Sequence, residues 1–130
     1  MAILDTFFDD VIEEDSSVKP PIAVLKELAQ GLETKTKGLL VCKVEQFFSE
    51  PDFALQFYIT APSLNNYSYE VFNITHTLSF YPLHIWRPAN QKSLVVMNQE
   101  EFEKELKTIF SSPEVKKVIN GLLAQIKSTN

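Results

Sequence analysis

The chain has 130 residues, of which 45% are hydrophobic and 22% are charged, and its formal net charge is −5. This length and balance are typical of one globular domain, 1–130, and they exclude wholesale disorder and a bilayer-spanning run of roughly 20 apolar residues. Arg87 is the only arginine, so the clustered basic surface that nucleic-acid phosphates require is not expected.

Cys42 is the only cysteine, which excludes an intramolecular disulfide and a cysteine-based zinc cage. The first residues also lack the basic start and the continuous apolar run of a secretory signal peptide. The sequence therefore predicts a cytoplasmic protein that binds no membrane, no metal and no cofactor.

The N-terminal residues 2–15 are predicted to form an amphipathic acidic helix. Their apolar residues come in pairs four positions apart: Ile3-Leu4, Phe7-Phe8 and Val11-Ile12. Six acids precede the first base, leaving eleven acids and twelve bases in the rest of the chain. A membrane-surface helix would carry Lys or Arg on its polar face, and this one carries neither. We therefore expect the stripe through Phe7, Phe8 and Val11 to dock, either on the chain's own sheet or on a partner.

A second helix is predicted at 20–32, where Pro20 and Pro21 suit a first helical turn. The region 38–97 is predicted to form the sheet, because apolar residues alternate with polar ones and turn-forming residues separate the runs. The expected strands are 38–48, 53–60, 67–78, 81–86 and 93–97.

A helical hairpin is predicted at 99–127. Asn98 is expected to cap its first helix, with Glu101 three residues later, and Ser112 followed by Pro113 is expected to start the second. The layout is also that of a DNA-binding helix-turn-helix, but an acidic chain opposes DNA. The predicted class is α+β: helix-helix, about five mostly antiparallel strands and helix-helix, with the helices packed on a curved sheet.

Catalytic signatures are missing from the sequence. Three glycines are too few for a phosphate-binding glycine-rich loop, and no nucleophile elbow or histidine pair of metal-binding spacing is present. His76 and His84, with a carboxylate such as Glu70, would form an acid/base or metal site if a turn brought them together. The alternative is two half-buried histidines that bond to backbone or water.

The span from Asp52 to Arg87 is the most informative feature. Its 34 intervening residues contain one formal charge, Glu70, and nine of the fifteen aromatic residues. A surface poor in charge and rich in Tyr and Trp is typical of interfaces and ligand clefts. The alternative is that helices cover both sheet faces, or that the sheet encloses its own aromatic core. The candidate binding residues are Tyr58, Tyr67, Tyr69, Tyr81, His84 and Trp86.

These patterns favour a non-catalytic module that binds a protein partner or itself, as a homodimer, through this sheet face or the N-terminal helix. The alternative is a small-molecule-binding protein or enzyme with an aromatic cleft in the sheet. A pocket with converging ionisable groups would indicate the alternative, and a broad flat patch would indicate the binding module.

Overall fold

The computed structural model describes Thr6, Phe8, Asp9, Val11, Ile12 and residues 18–129. Over this part of the chain it has three helices and a five-stranded antiparallel sheet, which confirms the predicted α+β class. The helices are α1 (Pro21–Lys35), α2 (Gln99–Phe110) and α3 (Pro113–Thr129), and the strands are β1 (Val41–Ser49), β2 (Asp52–Ala61), β3 (Tyr67–His76), β4 (Leu83–Arg87) and β5 (Lys92–Val96).

The sheet is a simple meander, in which each strand pairs with the next one along the chain. The order across the sheet is β1-β2-β3-β4-β5, and every pair is antiparallel. Short turns connect the strands because antiparallel neighbours need only a hairpin. In the described part of the chain, β1 and β5 are therefore the two edge strands.

One bulge interrupts the pairing of β2 with β3. Phe57 lies opposite Phe72, but the next residue, Tyr58, lies opposite Glu70. Val71 is thus the extra residue on β3, and it is buried together with Phe72. An extra residue inverts the alternation of side chains beyond it. Residues of β3 that precede the bulge consequently point to the opposite face from the one that an unbroken strand would give them.

The core lies between the three helices and one face of the sheet. Phe57 and Phe72 are stacked there with ring centroids 5.1 Å apart, and the ring of Phe110 from α2 contacts both edge-on. Leu25 of α1 and Val115 of α3 are fully buried in the same cluster. Burying one such side chain is worth roughly 1.5–3 kcal/mol. The apolar stripes of the helices therefore hold them on this face, the helix face.

The ends of the helices follow the predicted capping pattern. The amide of Glu101 donates to Asn98 Oδ1 at 2.9 Å, and Glu101 Oε1 accepts from the amide of Met97 at 3.0 Å. Ser112 Oγ accepts from the amide of Val115 at 3.4 Å, with Pro113 in the first turn of α3. The amides of Glu101 and Val115 are among those that a helix itself leaves unpaired, and the amide of Met97 lies just before α2.

The predicted helix at 2–15 lies mostly outside the described residues, and Phe7 is among those outside. Of the described residues, Phe8, Val11 and Ile12 are each more than half exposed, and the amides of Val11 and Ile12 donate to the carbonyl of Phe8, each at 3.0 Å. Docking of this segment stays a prediction. Within the described ranges, no helix is long and apolar enough to cross a bilayer.

Candidate functional site

The sheet has a second face, opposite the helices, which we call the open face. Strand β4 shows the difference between the two faces. Leu83 and Ile85 point to the helix face and are 0% and 1% exposed, whereas His84 and Trp86 alternate with them and are exposed, Trp86 by 40%. The three described helices therefore all pack on one side and leave the other accessible.

Two adjacent cross-strand rows on the open face contain one formal charge between them, that of Glu45 at the β1 end of the second row. The pairing of all five strands places Phe47, Ala54, Thr75, His84 and Val95 in the first row. The second row runs from Glu45 through Gln56, Asn73 and Trp86 to Ser93. We call the nine residues other than Glu45 the neutral patch. Its large apolar members, Phe47, Trp86 and Val95, are 40–46% exposed, so the patch combines accessible apolar area with uncharged polar groups.

Charged residues border the patch on the side of β1. Lys43, Tyr58 and Glu70 form the next row, and Glu45 lies opposite Gln56. The hydroxyl of Tyr58 donates to Gln56 Oε1 at 2.7 Å. Partial desolvation and the nearby carboxylates of Glu70 and Glu45 raise the pKa of Tyr58. Tyr58 therefore stays a neutral hydrogen-bond donor that ties the charged margin to the patch.

Asn73 lies near the middle of the patch, between Gln56 and Trp86. Its amide oxygen is buried and has no hydrogen-bond partner among the described residues. Leaving a buried acceptor unpaired costs roughly 1–3 kcal/mol.

The candidate binding residues divide between the two faces. Tyr58, His84 and Trp86 lie together on the open face, as alternation predicts. Tyr67 and Tyr69 lie opposite Ala61 and Ile59, which places them on the helix face beyond the bulge.

Tyr81 is also separated from the open face, because its ring packs on Phe102 of α2 with centroids 6.4 Å apart. Its hydroxyl is buried without a hydrogen-bond partner among the described residues. Burial, followed by the charge of Glu103, raises the pKa of Tyr81. Tyr81 is thus a packing residue between the sheet and α2.

The two histidines point to opposite faces, because β3 and β4 pair Thr75, not His76, with His84. His76 is 7% exposed, stacks on Phe53 with centroids 5.5 Å apart, and places Nδ1 2.7 Å from the carbonyl oxygen of Thr77. Over the described residues, no three His, Cys, Asp or Glu side chains surround a possible metal position. The acid/base pair considered from the sequence is therefore not assembled.

A groove of about 480 Å³ lies between α1 and α2. Its floor consists of Val24, Leu28, Leu106 and Phe110, and none of the six candidate binding residues lines it. The groove is on the helix side, away from the neutral patch. The aromatic residues of the sheet thus contribute exposed side chains on one face and core packing on the other.

Sequence reasoning did not single out Phe47, Asn73 or Val95 as binding residues. The alternation of buried and exposed residues could have placed two of them on the open face, since Asn73 is next to buried Ile74 and Val95 is next to buried Val96. Only the pairing register shows that these positions line up across the sheet. Comparison of the chain with protein-family models, with curated proteins and with solved structures gives no match.

Proposed function

We propose that this chain is a non-catalytic protein-binding module, and that its neutral patch receives a protein partner. The observation that supports this most directly is the patch itself: nine uncharged residues in two cross-strand rows, bordered by Glu45 on β1, with Trp86 40% exposed among them. Antiparallel sheets that face water normally present polar and charged residues on that side. Uncharged rows around an accessible Trp instead have the composition of an interface core.

The energetics of the patch favour a protein as the partner. Burying a charged side chain costs several kcal/mol unless it is paired, and the neutral patch contains none. Trp is among the residues that most often dominate binding energy, especially at the centre of a flat contact. The row of charged residues at the β1 margin, Lys43 and Glu70 among them, supplies the polar rim that such contacts have.

The charge and the cysteine content of the chain support the class of partner and the compartment. The chain has one arginine and a net charge of −5, which supports a protein rather than a nucleic acid as partner. Cys42 is a free thiol, which supports a reducing compartment, and the cytoplasm is the compartment we propose.

The experiment is site-specific photocrosslinking in the cells that make the protein. A photoreactive amino acid at position 86 should give a discrete adduct with one protein, whereas the same probe at position 104, exposed on α2, should not. The captured protein is then purified and its affinity measured. Trp86→Ala should weaken binding about tenfold or more, as expected for a central Trp, and Lys104→Ala should leave it unchanged.

Two results would contradict the proposal. One is an adduct of equal yield from positions 86 and 104, which would mark non-specific capture. The other is an unchanged affinity of Trp86→Ala for the captured protein.

A further inference from the structure

We propose that β1 pairs antiparallel with β1 of a second copy of this chain, in the register centred on Val44, to form a two-fold dimer. The two five-stranded sheets would then continue into one ten-stranded sheet. This inference goes beyond the proposed function and does not depend on the neutral patch.

The edge of β1 is the first observation that points to another strand. β1 pairs with β2 without interruption from Val41 to Ser49, and no other described strand pairs with it. Edge strands that remain solitary are usually short, bulged, interrupted by proline or lined with charged side chains, because their unpaired amides and carbonyls are a template for another strand. β1 is nine residues long, unbulged and free of proline, and its two charged residues, Lys43 and Glu45, are of opposite sign. Phe47 and Phe48 near its end are also 46% and 70% exposed.

The alternation of backbone groups along β1 restricts the registers in which two copies can pair. In an antiparallel pair, residues that stand opposite must both direct their backbone groups toward the partner or both away from it. The two-fold axis that relates two identical strands must therefore pass beside a residue and not beside a peptide bond. A pairing centred on Lys43 places two lysines directly opposite each other, and a pairing centred on Glu45 does the same with two glutamates. Both arrangements are destabilising.

A pairing centred on Val44 instead places opposite charges across from each other. It places Lys43 of each copy opposite Glu45 of the other, so two cross-strand ion pairs form on the open face. Neither side chain has an ion-pair partner among the residues described in the single chain. The same register places Val41 opposite the exposed Phe47, and Val44 opposite its own copy. Of the possible centres from Cys42 to Gln46, only Val44 places opposite charges across from each other, and this favours its register.

The two-fold axis fixes how the two copies are oriented in the dimer. A two-fold axis perpendicular to the sheet keeps the helices of both copies on one side and both neutral patches on the other. Trp86 is on β4, three strands away from β1. Its environment would therefore not change when the dimer forms.

The test is the association of the whole chain by light scattering and sedimentation. Wild type should dimerise in the micromolar range. Lys43→Glu places acids opposite acids, and Glu45→Lys places bases opposite bases, so each should weaken the dimer about tenfold. The double variant Lys43→Glu/Glu45→Lys should dimerise like wild type. An equimolar mixture of the two single variants should form a heterodimer, because each then meets its complement.

The controls separate this edge from other contacts. Lys107→Glu, an exposed charge reversal on α2, should leave the dimer intact, and so should Trp86→Ala. A wild type that is monomeric at high micromolar concentration overturns the proposal, as does a double variant or a mixture that fails to associate while its melting curve is normal. A dimer that Trp86→Ala dissociates and Lys43→Glu does not would place self-association on the open face and also overturn it.

Discussion

At the scale of single residues, Cys42 shows how the fold changes the chemistry of a side chain. It lies on the helix face of β1, beside α1. Burial, with a smaller contribution from the Glu33 carboxylate, raises the pKa of its thiol from 9.0 to about 12. The thiolate is the nucleophilic form of cysteine. Near neutral pH the residue is therefore a small packing group and not a reactive centre.

We expect the Cys42 thiol of the folded protein to react with iodoacetamide at pH 8 about a hundredfold or more slowly than in denaturant, because the raised pKa removes nearly all thiolate. The same pKa shift affects stability. It leaves the free energy of unfolding unchanged below pH 9, where both states are protonated, and lowers it as the pH rises from 9 toward 12. Equal alkylation rates in the folded and denatured protein would refute the burial of this thiol.

At the scale of elements, the start of α2 is a local motif that the chain specifies by itself. Asn98 accepts from the amide of Glu101, while the Glu101 side chain accepts from the amide of Met97. The reciprocal contact is displaced by one residue from the usual capping box, in which the amide of the cap itself is bound. It still satisfies two amides at the point where the chain leaves β5.

Asn98→Ala should lower the free energy of unfolding by about 1 kcal/mol, the usual cost of losing a side-chain cap. Denaturant titration measures this change. Lys104→Ala, at an exposed position in the middle of α2, is the matched control and should change stability by less than about 0.5 kcal/mol. Equal effects of the two variants would show that the cap contributes nothing specific.

The bulge at Val71 is the element-scale feature that matters most for the candidate site. Without it, Tyr67 and Tyr69 would lie on the open face with Tyr58, and Glu70 would point into the core. With it, Glu70 lies opposite Tyr58 on the open face and both tyrosines point to the helix face. One extra residue thus keeps the charge in contact with water and removes two aromatic side chains from the neutral patch.

At the scale of the whole molecule, one aromatic cluster joins the sheet to the helices. Phe72 is fully buried between Phe57 and Phe110, which come from the neighbouring strand and from α2. Because Phe72 contacts both the sheet and α2, its loss affects the packing of both layers. None of the three described helices packs on the other sheet face.

Phe72→Ala should therefore lower the free energy of unfolding by about 3–5 kcal/mol, through lost burial and the cavity left behind. Leu78→Ala is the control, since Leu78 is 77% exposed and its removal should cost less than about 0.5 kcal/mol. Chemical denaturation of both variants gives the comparison. A small effect at Phe72 would mean that the layers can close around the missing ring.

Much of the fold follows from the sequence because its signals are local. Alternation over residues 53–60 predicts a strand with Leu55, Phe57 and Ile59 on one face, and these three are buried. Proline, asparagine and serine at the helix starts predict α1, α2 and α3 within a few residues, since capping depends only on neighbours. The antiparallel pairing follows as well, because short turns join consecutive strands, whereas the strand order comes from the structure.

For residues 18–129, the sequence by itself thus determined the elements, their order along the chain and the apolar faces that pack together, whereas the helix predicted at 2–15 stays a prediction. Only the tertiary structure decided which candidate residues share a surface: Tyr58, His84 and Trp86 lie on the open face, whereas Tyr67, Tyr69 and Tyr81 do not. The physical reason is that side chains alternate between the two faces of a strand. A strand has a period of two, so a single bulged residue exchanges its faces, and a bulge is selected by packing across the sheet rather than by the residues beside it.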